Sequence, residues 1–194
     1  MSAGITRADI MTMEDFAAIR KQRRVEISAI KRHRRVAIGP DATIYFESYE
    51  TMWWQIHEML YIEKGGEAQI ADELAAFNPL IPKGRELVAT LMFEIDDPPR
   101  RAALLSRLGG VEGCVAITVA GETIGGVPED DVERSTEDGR ASSVQFLHFP
   151  FTAGQIAVFR DPANRVVIAI DHAAYGHMTV MAQAVREALA DDFE

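Results

Sequence analysis

The chain predicts an α+β fold in which N-terminal helices, including a helical hairpin, pack on a mostly antiparallel C-terminal sheet. Three observations carry this. Apolar residues recur at helical spacing through much of residues 16–77. Past Glu86 the pattern changes to alternation and short apolar runs, as strands require. The helical and strand segments are segregated rather than interleaved, which argues against a doubly wound sheet.

The first helix opens around Thr12 and Asp15, with Asp15 as its cap. Phe16, Ile19, Arg23 and Ile27 fall at helical spacing as far as about Ala29. Residues 34–40 read as a short strand stopped by Gly39-Pro40. Thr43 to Phe46 leads into a helix taken over residues 44–64. At about 100° per residue this helix sets Tyr49, Met52, Trp53, Ile56, Met59 and Leu60 on one face. Glu47, Thr51, Gln55 and Glu58 fall on the other, with Trp54 and Tyr61 at the border.

Gly65-Gly66 ends this arm, and Glu67 to Phe77 forms the second with Ile70, Leu74 and Phe77 inward. Asn78 to Pro82 is an extended connector, because residues before proline avoid the α region. Leu87 to Ile95 then alternates, with Leu91, Phe93 and Ile95 on one side and Thr90 and Glu94 on the other. Pro98-Pro99 starts a short helix to Leu108 that Gly109-Gly110 ends.

Further strands are expected at Cys114–Val119, Ser143–Phe149, Gln155–Arg160 and Val166–Asp171. A last helix is expected from Val180 to Leu189, with Met181, Ala184, Val185 and Leu189 inward. Gly121 to Ser142 is polar and acidic and reads as a long mobile hairpin connection. One α+β domain over 1–194 is expected, with a sub-boundary near 82–86 dividing a helical part, 1–82, from a sheet part, 86–194.

Composition excludes several classes. No apolar run approaches the ~18–20 residues of a membrane span, and the N-terminus has no apolar leader core, so a cytoplasmic protein is expected. Cys114 is the only cysteine, which rules out an intrachain disulfide, a CxxC pair or a cysteine-only metal site. Its setting, Gly-Cys-Val-Ala-Ile-Thr-Val, reads as a buried strand carrying an inert thiol. A formal charge of −10 argues against general affinity for nucleic acid or anionic lipid.

The charge is uneven. Arg20, Lys21, Arg23, Arg24, Lys31, Arg32, Arg34 and Arg35 crowd into sixteen positions, and an acidic run extends from Glu129 to Asp138. The basic run has three readings: a solvated helix face paired with the chain's own carboxylates, a site for an anionic partner, or nucleic-acid binding.

Motifs for compact chemistry fail one by one. His57-Glu58 starts like a zinc-protease helix, but the second histidine belongs four residues after the first, and that place is Tyr61. There is no phosphate-binding glycine loop and no GxSxG elbow. Glu47 and Glu58, eleven apart, would be separated by roughly 16 Å along a helix. Each needs a partner from elsewhere, such as Arg35, His148, His172 or His177.

A carboxylate–histidine metal site drawing on Glu58, His148 and His172 is one outcome, and a satisfied hydrogen-bond and salt-bridge face is the other. His148 alternates with aromatic residues, and Asp171-His172 reads either as a ligand or acid–base pair or as a capped turn. Glu63 lies by angle on the apolar face. It is either buried and paired with Arg34 or Arg35, or solvated by fraying before Gly65.

The blocks Arg34-Arg35-Val-Ala-Ile-Gly-Pro, Phe46-Glu47, Thr51, Gln55-Ile56, Glu58-Met59-Leu60, Glu63, Asn78-Pro-Leu-Ile-Pro82 and Ala89-Thr-Leu recur as a set. With Ser142-Ser-Val-Gln-Phe-Leu and Ile170-Asp-His172, the chain resembles the bacterial domain-of-unknown-function family numbered three-five-zero-one over nearly its whole length. The resemblance carries over no activity, and no cofactor is expected because the chain has a single cysteine and every compact ligand motif fails. The resemblance does imply a genomic setting beside rubrerythrin and an iron–sulfur oxidoreductase of heterodisulfide-reductase type, and so protein partners of that kind.

His57 stands where that pattern has Gln, which turns attention to Arg35, Glu47, Gln55, Glu58 and Glu63 as binding residues. The resulting expectation is a binding or accessory protein in a redox or peroxide-defence pathway, with no nucleic-acid or membrane partner and a homo-oligomer left open. A metal-dependent enzyme or metalloprotein is the alternative.

Overall fold

Residues 4–129 and 139–194 are described by a computed structural model, and its elements follow from local signals. Thr12 Oγ1 accepts from the Asp15 N–H and caps α1 (Met13–Arg32) one turn earlier than expected, and the helix runs three residues past its expected end. β1 (Arg35–Ile38) and β2 (Ala42–Phe46) form a hairpin through Gly39. Gly39 has φ +69°, and a Cβ there would lie 2.6 Å from the His177 ring, so only glycine fits.

Ser48 and Thr51 exchange side-chain-to-backbone hydrogen bonds at the start of α2 (Tyr49–Glu63), and α3 (Gly66–Phe77) follows a left-handed Lys64. β3 (Glu86–Phe93), α4 (Pro98–Leu105) and β4 (Val115–Val119) come next. After them run β5 (Glu122–Gly125), β6 (Val127–Pro128) and β7 (Val144–Pro150). α5 (Ala153–Arg160), β8 (Val166–His172), β9 (Tyr175–Val180) and α6 (Gln183–Ala190) complete the order.

The fold is α+β, as expected. Two antiparallel sheets have the orders β1-β2-β3-β7-β6 and β5-β4-β8-β9. The larger draws strands from both sides of residues 82–86. Its alternation divides the protein into layers. Ile44, Phe46, Leu87, Leu91, Leu147 and Phe149 face the smaller sheet's Ile117, Ile168 and Ile170 in the main core. Val88 and Phe146 face the other way and pack under Met52, Ile56, Leu60, Ile70 and Leu80.

α1 is fastened to α2 by Phe16, which is fully buried among the rings of Trp53, Trp54, His57 and Tyr61, with centroids 5.0–6.1 Å away. Burying that much aromatic surface is the strongest local reason for the pair to stay together.

Several expectations are corrected. Gln155–Arg160 is helix, not strand. Thr152 and Gln155 form a reciprocal cap, and Ile156 and Phe159 are buried at helical spacing. The last helix starts at Gln183, and the chain through Val180 is β9, whose exposed Met178 and Val180 gave no inward pattern to read. Asp171 caps no helix, because β8 turns directly into β9.

Residues 44–46 are strand, so Glu47 lies before α2 rather than on it. The buried side of α2 also includes Trp54 and His57, drawn inward by Phe16, while Trp53 and Met59 are only half-buried. Most of the acidic run, residues 130–138, lies outside the described residues. No helix among the described residues is long and apolar enough to cross a membrane.

Candidate functional site

Glu47 is placed by the pleat. Its N–H donates to the Val88 carbonyl at 2.8 Å, extending the β2–β3 ladder one residue. Phe46 points into the main core, so alternation turns Glu47 to the helical face of the sheet. There Oε2 accepts from Thr51 Oγ1 and Oε1 from Thr90 Oγ1, each at 2.7 Å. The residue is 7 % exposed, and a carboxylate so deep requires such donors. Two hydroxyls fill about half of its roughly four acceptor sites.

This carboxylate lines a cavity of about 320 Å³ between sheet and helices. Met52, Phe77, Leu80, Met92 and Phe146 supply apolar wall, and Gln55, Thr90, Lys31 and Arg34 supply polar groups. An apolar cavity with a few convergent polar groups is the ordinary form of a small-molecule site. Arg34 is itself built in. Its guanidinium donates to the carbonyls of Phe46 (3.1 Å) and Glu47 (2.7 Å), to that of Ala188 (3.3 Å), and to the Asp192 carboxylate. It therefore ties the backbone beneath Glu47 to the C-terminal segment.

Of the five residues singled out from sequence, Glu47 and Gln55 meet in this cavity. Arg35 and Glu58 line a neighbouring cleft of about 430 Å³. Glu58 accepts from Arg20 Nε at 2.6 Å and Nη2 at 2.8 Å, with Arg24 at 3.6 Å, and the Arg20 hydrogen bonds hold its carboxyl below the usual range. Glu63 is not brought to either arginine. It is exposed on the last turn of α2 and accepts from Gln69 Nε2 at 2.8 Å. The wheel failed there because α2's apolar face has lost its cover by that turn, where Ile62 is also exposed. The buried arginine pair that Glu63 was expected to make is made by Arg34 with Asp192 instead.

Glu58, His148 and His172 do not converge. His148 sits between two carboxylates on opposite sides of its ring, Glu86 at Nδ1 (3.0 Å) and Glu129 at Nε2 (2.6 Å). Its hydrogen bond to Glu86 raises its pKa, reinforced by Glu129, and the same bond lowers that of Glu86. Two carboxylates on opposite ring nitrogens share a proton-bearing clamp, not one ion. His148 points away from Phe149, as alternation required, but shares its face with Phe146.

His172 lies in the smaller sheet, with Nδ1 accepting from the Ala174 N–H and Nε2 against the Gly109 carbonyl. No group of three or more metal-ligating side chains gathers among the described residues. His57 is fully buried, accepts from the Met11 N–H at Nε2 and donates from Nδ1 to the Trp53 carbonyl, and its burial lowers its pKa. It is a neutral packing residue. Cys114 is half-buried just before β4 rather than within it, and burial raises its thiol pKa.

Thr90, Met92 and Phe146 are not singled out by the sequence, and Lys31 only as part of the basic run. Thr90 carried a usable signal, a hydroxyl facing away from Leu91 in an otherwise apolar strand. The others become neighbours only through the sheet register and the docking of α1.

Comparison with known proteins matches this arrangement to relatives. No curated protein matches. A solved crystal structure of a novel protein of unknown function from Burkholderia pseudomallei K96243 is 34% identical, with 99% of this chain and 100% of that one covered and a TM-score of 0.91. The family model described as protein of unknown function, DUF3501, matches residues 4–193. Whole-length agreement in sequence pattern and in fold leads to one conclusion: the chain belongs to the DUF3501 family.

Proposed function

We propose that the chain is a binding or accessory protein whose ligand occupies the cavity floored by Glu47 and Gln55. The observation that carries this reading is a buried carboxylate, with acceptor capacity left over, set in an apolar recess. Such a site suits a small molecule with an apolar body and a hydrogen-bond-donating or cationic end facing Glu47.

Supporting the binding reading over a metal-dependent enzyme, Glu58, His148 and His172 each have separate partners. The redox or peroxide-defence setting rests on family context alone. Co-elution with purified rubrerythrin or the iron–sulfur oxidoreductase would test it.

The pocket itself is tested by calorimetric titration with n-alkylamines of increasing length. Wild type should bind them in a length-dependent way. Met92→Trp, which fills the cavity, should abolish binding, and Glu47→Gln should weaken it about tenfold or more, the worth of a charge-assisted hydrogen bond. Binding that is absent, or indifferent to Met92→Trp, would overturn the reading.

A further inference from the structure

The basic run divides in the folded chain. Arg20 is spent on Glu58, Arg23 on Glu26, and Arg34 on Asp192. Lys31, Arg32 and Arg35 instead line one cleft, beside Ser28, Tyr45 and Glu58, together with Arg24, which reaches Glu58 only at 3.6 Å. Glu58 is already neutralised by Arg20's two hydrogen bonds. Among the described residues, no carboxylate pairs with Lys31, Arg32 or Arg35.

Four cations therefore converge on a cleft of about 430 Å³ in a chain whose net charge is −10. Gathering like charges on one concave surface opposes folding, and a cleft lined by one sign focuses its field on counter-ions. The spacing of Arg24, Ser28, Lys31 and Arg32 on α1, with Arg35 starting β1, sets these groups on one side of the helix. The cationic cleft also shares walls with the Glu47 cavity, because Lys31 and Tyr45 line both. The two recesses are neighbouring lobes.

We propose that the ligand of the Glu47 cavity carries an anionic head, a carboxylate or phosphate, held by Arg24, Lys31, Arg32 and Arg35 while its apolar body fills the first lobe. This rests on the pocket reading above and adds the ligand's second end. The class is an amphipathic small molecule with a donor at one terminus and an anion at the other. Guanidinium groups suit both heads, since they bind carboxylate and phosphate bidentately.

The test compares ω-amino carboxylates and ω-amino alkyl phosphates with n-alkylamines of matched chain length, by calorimetry at low and high salt. At one favoured length the anionic compounds should bind roughly tenfold or more tightly than the amine, the worth of a hydrogen bond to a charged group. That advantage should shrink with salt. Arg32→Gln/Arg35→Gln, which alters two exposed side chains, should remove the advantage without weakening amine binding, since it takes two cations away from beside a cationic ligand.

Preference for one anionic series over the other identifies the head and supports the proposal. Amines binding as tightly as the anionic compounds would overturn it with the pocket reading intact. So would an anionic advantage that survives the double substitution. Failure of every series would overturn both.

Discussion

Arg34 offers the sharpest test of how the site is built. It is 6 % exposed, its partner Asp192 is nearly as deep, and three backbone carbonyls complete its shell. Arg34→Met keeps much of the aliphatic stem but strands a buried carboxylate and removes a donor from the Phe46, Glu47 and Ala188 carbonyls. Breaking a buried ion pair from one side costs about 3–5 kcal/mol, a large share of the roughly 5–15 kcal/mol that holds a domain folded. With an m-value near ~2 kcal/mol/M, the urea midpoint should fall by about 2 M.

Arg34→Met/Asp192→Leu should recover part of that loss, because it removes the uncompensated charge, and a double-mutant cycle measures the coupling. Glu63→Ala, which touches only an exposed hydrogen bond to Gln69, should leave the midpoint unchanged. A single Arg34→Met variant within about 1 kcal/mol of wild type, or a double variant whose loss is the plain sum of the two, would refute the reasoning.

Two histidines should give opposite pH dependence. His148, raised above 6.5 by Glu86 and Glu129, contributes stability that is complete below 6.5 and lost as pH rises through its folded pKa. His148→Gln should flatten that alkaline loss in urea midpoints taken across a pH series. His57, lowered below 6.5 by burial, contributes fully above 6.5 and loses its contribution as pH falls through its folded pKa, so His57→Gln should flatten the acid side. Phe16→Ala should cost about 3–5 kcal/mol in thermal or urea unfolding, because it empties the centre of the ring cluster joining α1 to α2.

What was legible in the sequence was what local chemistry decides. Residues 87–93 alternate, and they form the central strand β3 with Leu87 and Leu91 in the core. Pro98-Pro99 and Gly65-Gly66 marked real boundaries. Glu47 and Gln55 stand out as polar residues in an aromatic stretch, and the family resemblance points to the same two. What was not legible depended on contacts distant in sequence.

The helix to which the wheel assigns Glu47 starts two residues later, and it is the Val88 hydrogen bond that holds Glu47 at the end of β2. Of the two readings open for Glu63, the solvated one holds, because a helical wheel assumes cover along the whole helix and α2 loses it in its last turn. Asp192, the true partner of Arg34, lies 158 residues away. Gln155 to Arg160 is a short apolar run between polar ends, which fits a buried strand as well as a helix, and the Thr152–Gln155 cap is the sign that decides for helix. The division of the basic run into spent and unspent cations needed Glu58, Glu26 and Asp192 in place.

The proposed ligand lies against Glu47 in the cavity between helices and sheet. A crystal structure of the protein with the tightest-binding alkylamine tests this placement most directly. Density is expected for the alkyl chain against Met52, Met92 and Phe146, with the amine nitrogen at about 2.7–3.0 Å from a Glu47 carboxylate oxygen. Density for the bound amine elsewhere on the molecule, with the cavity empty, would contradict it.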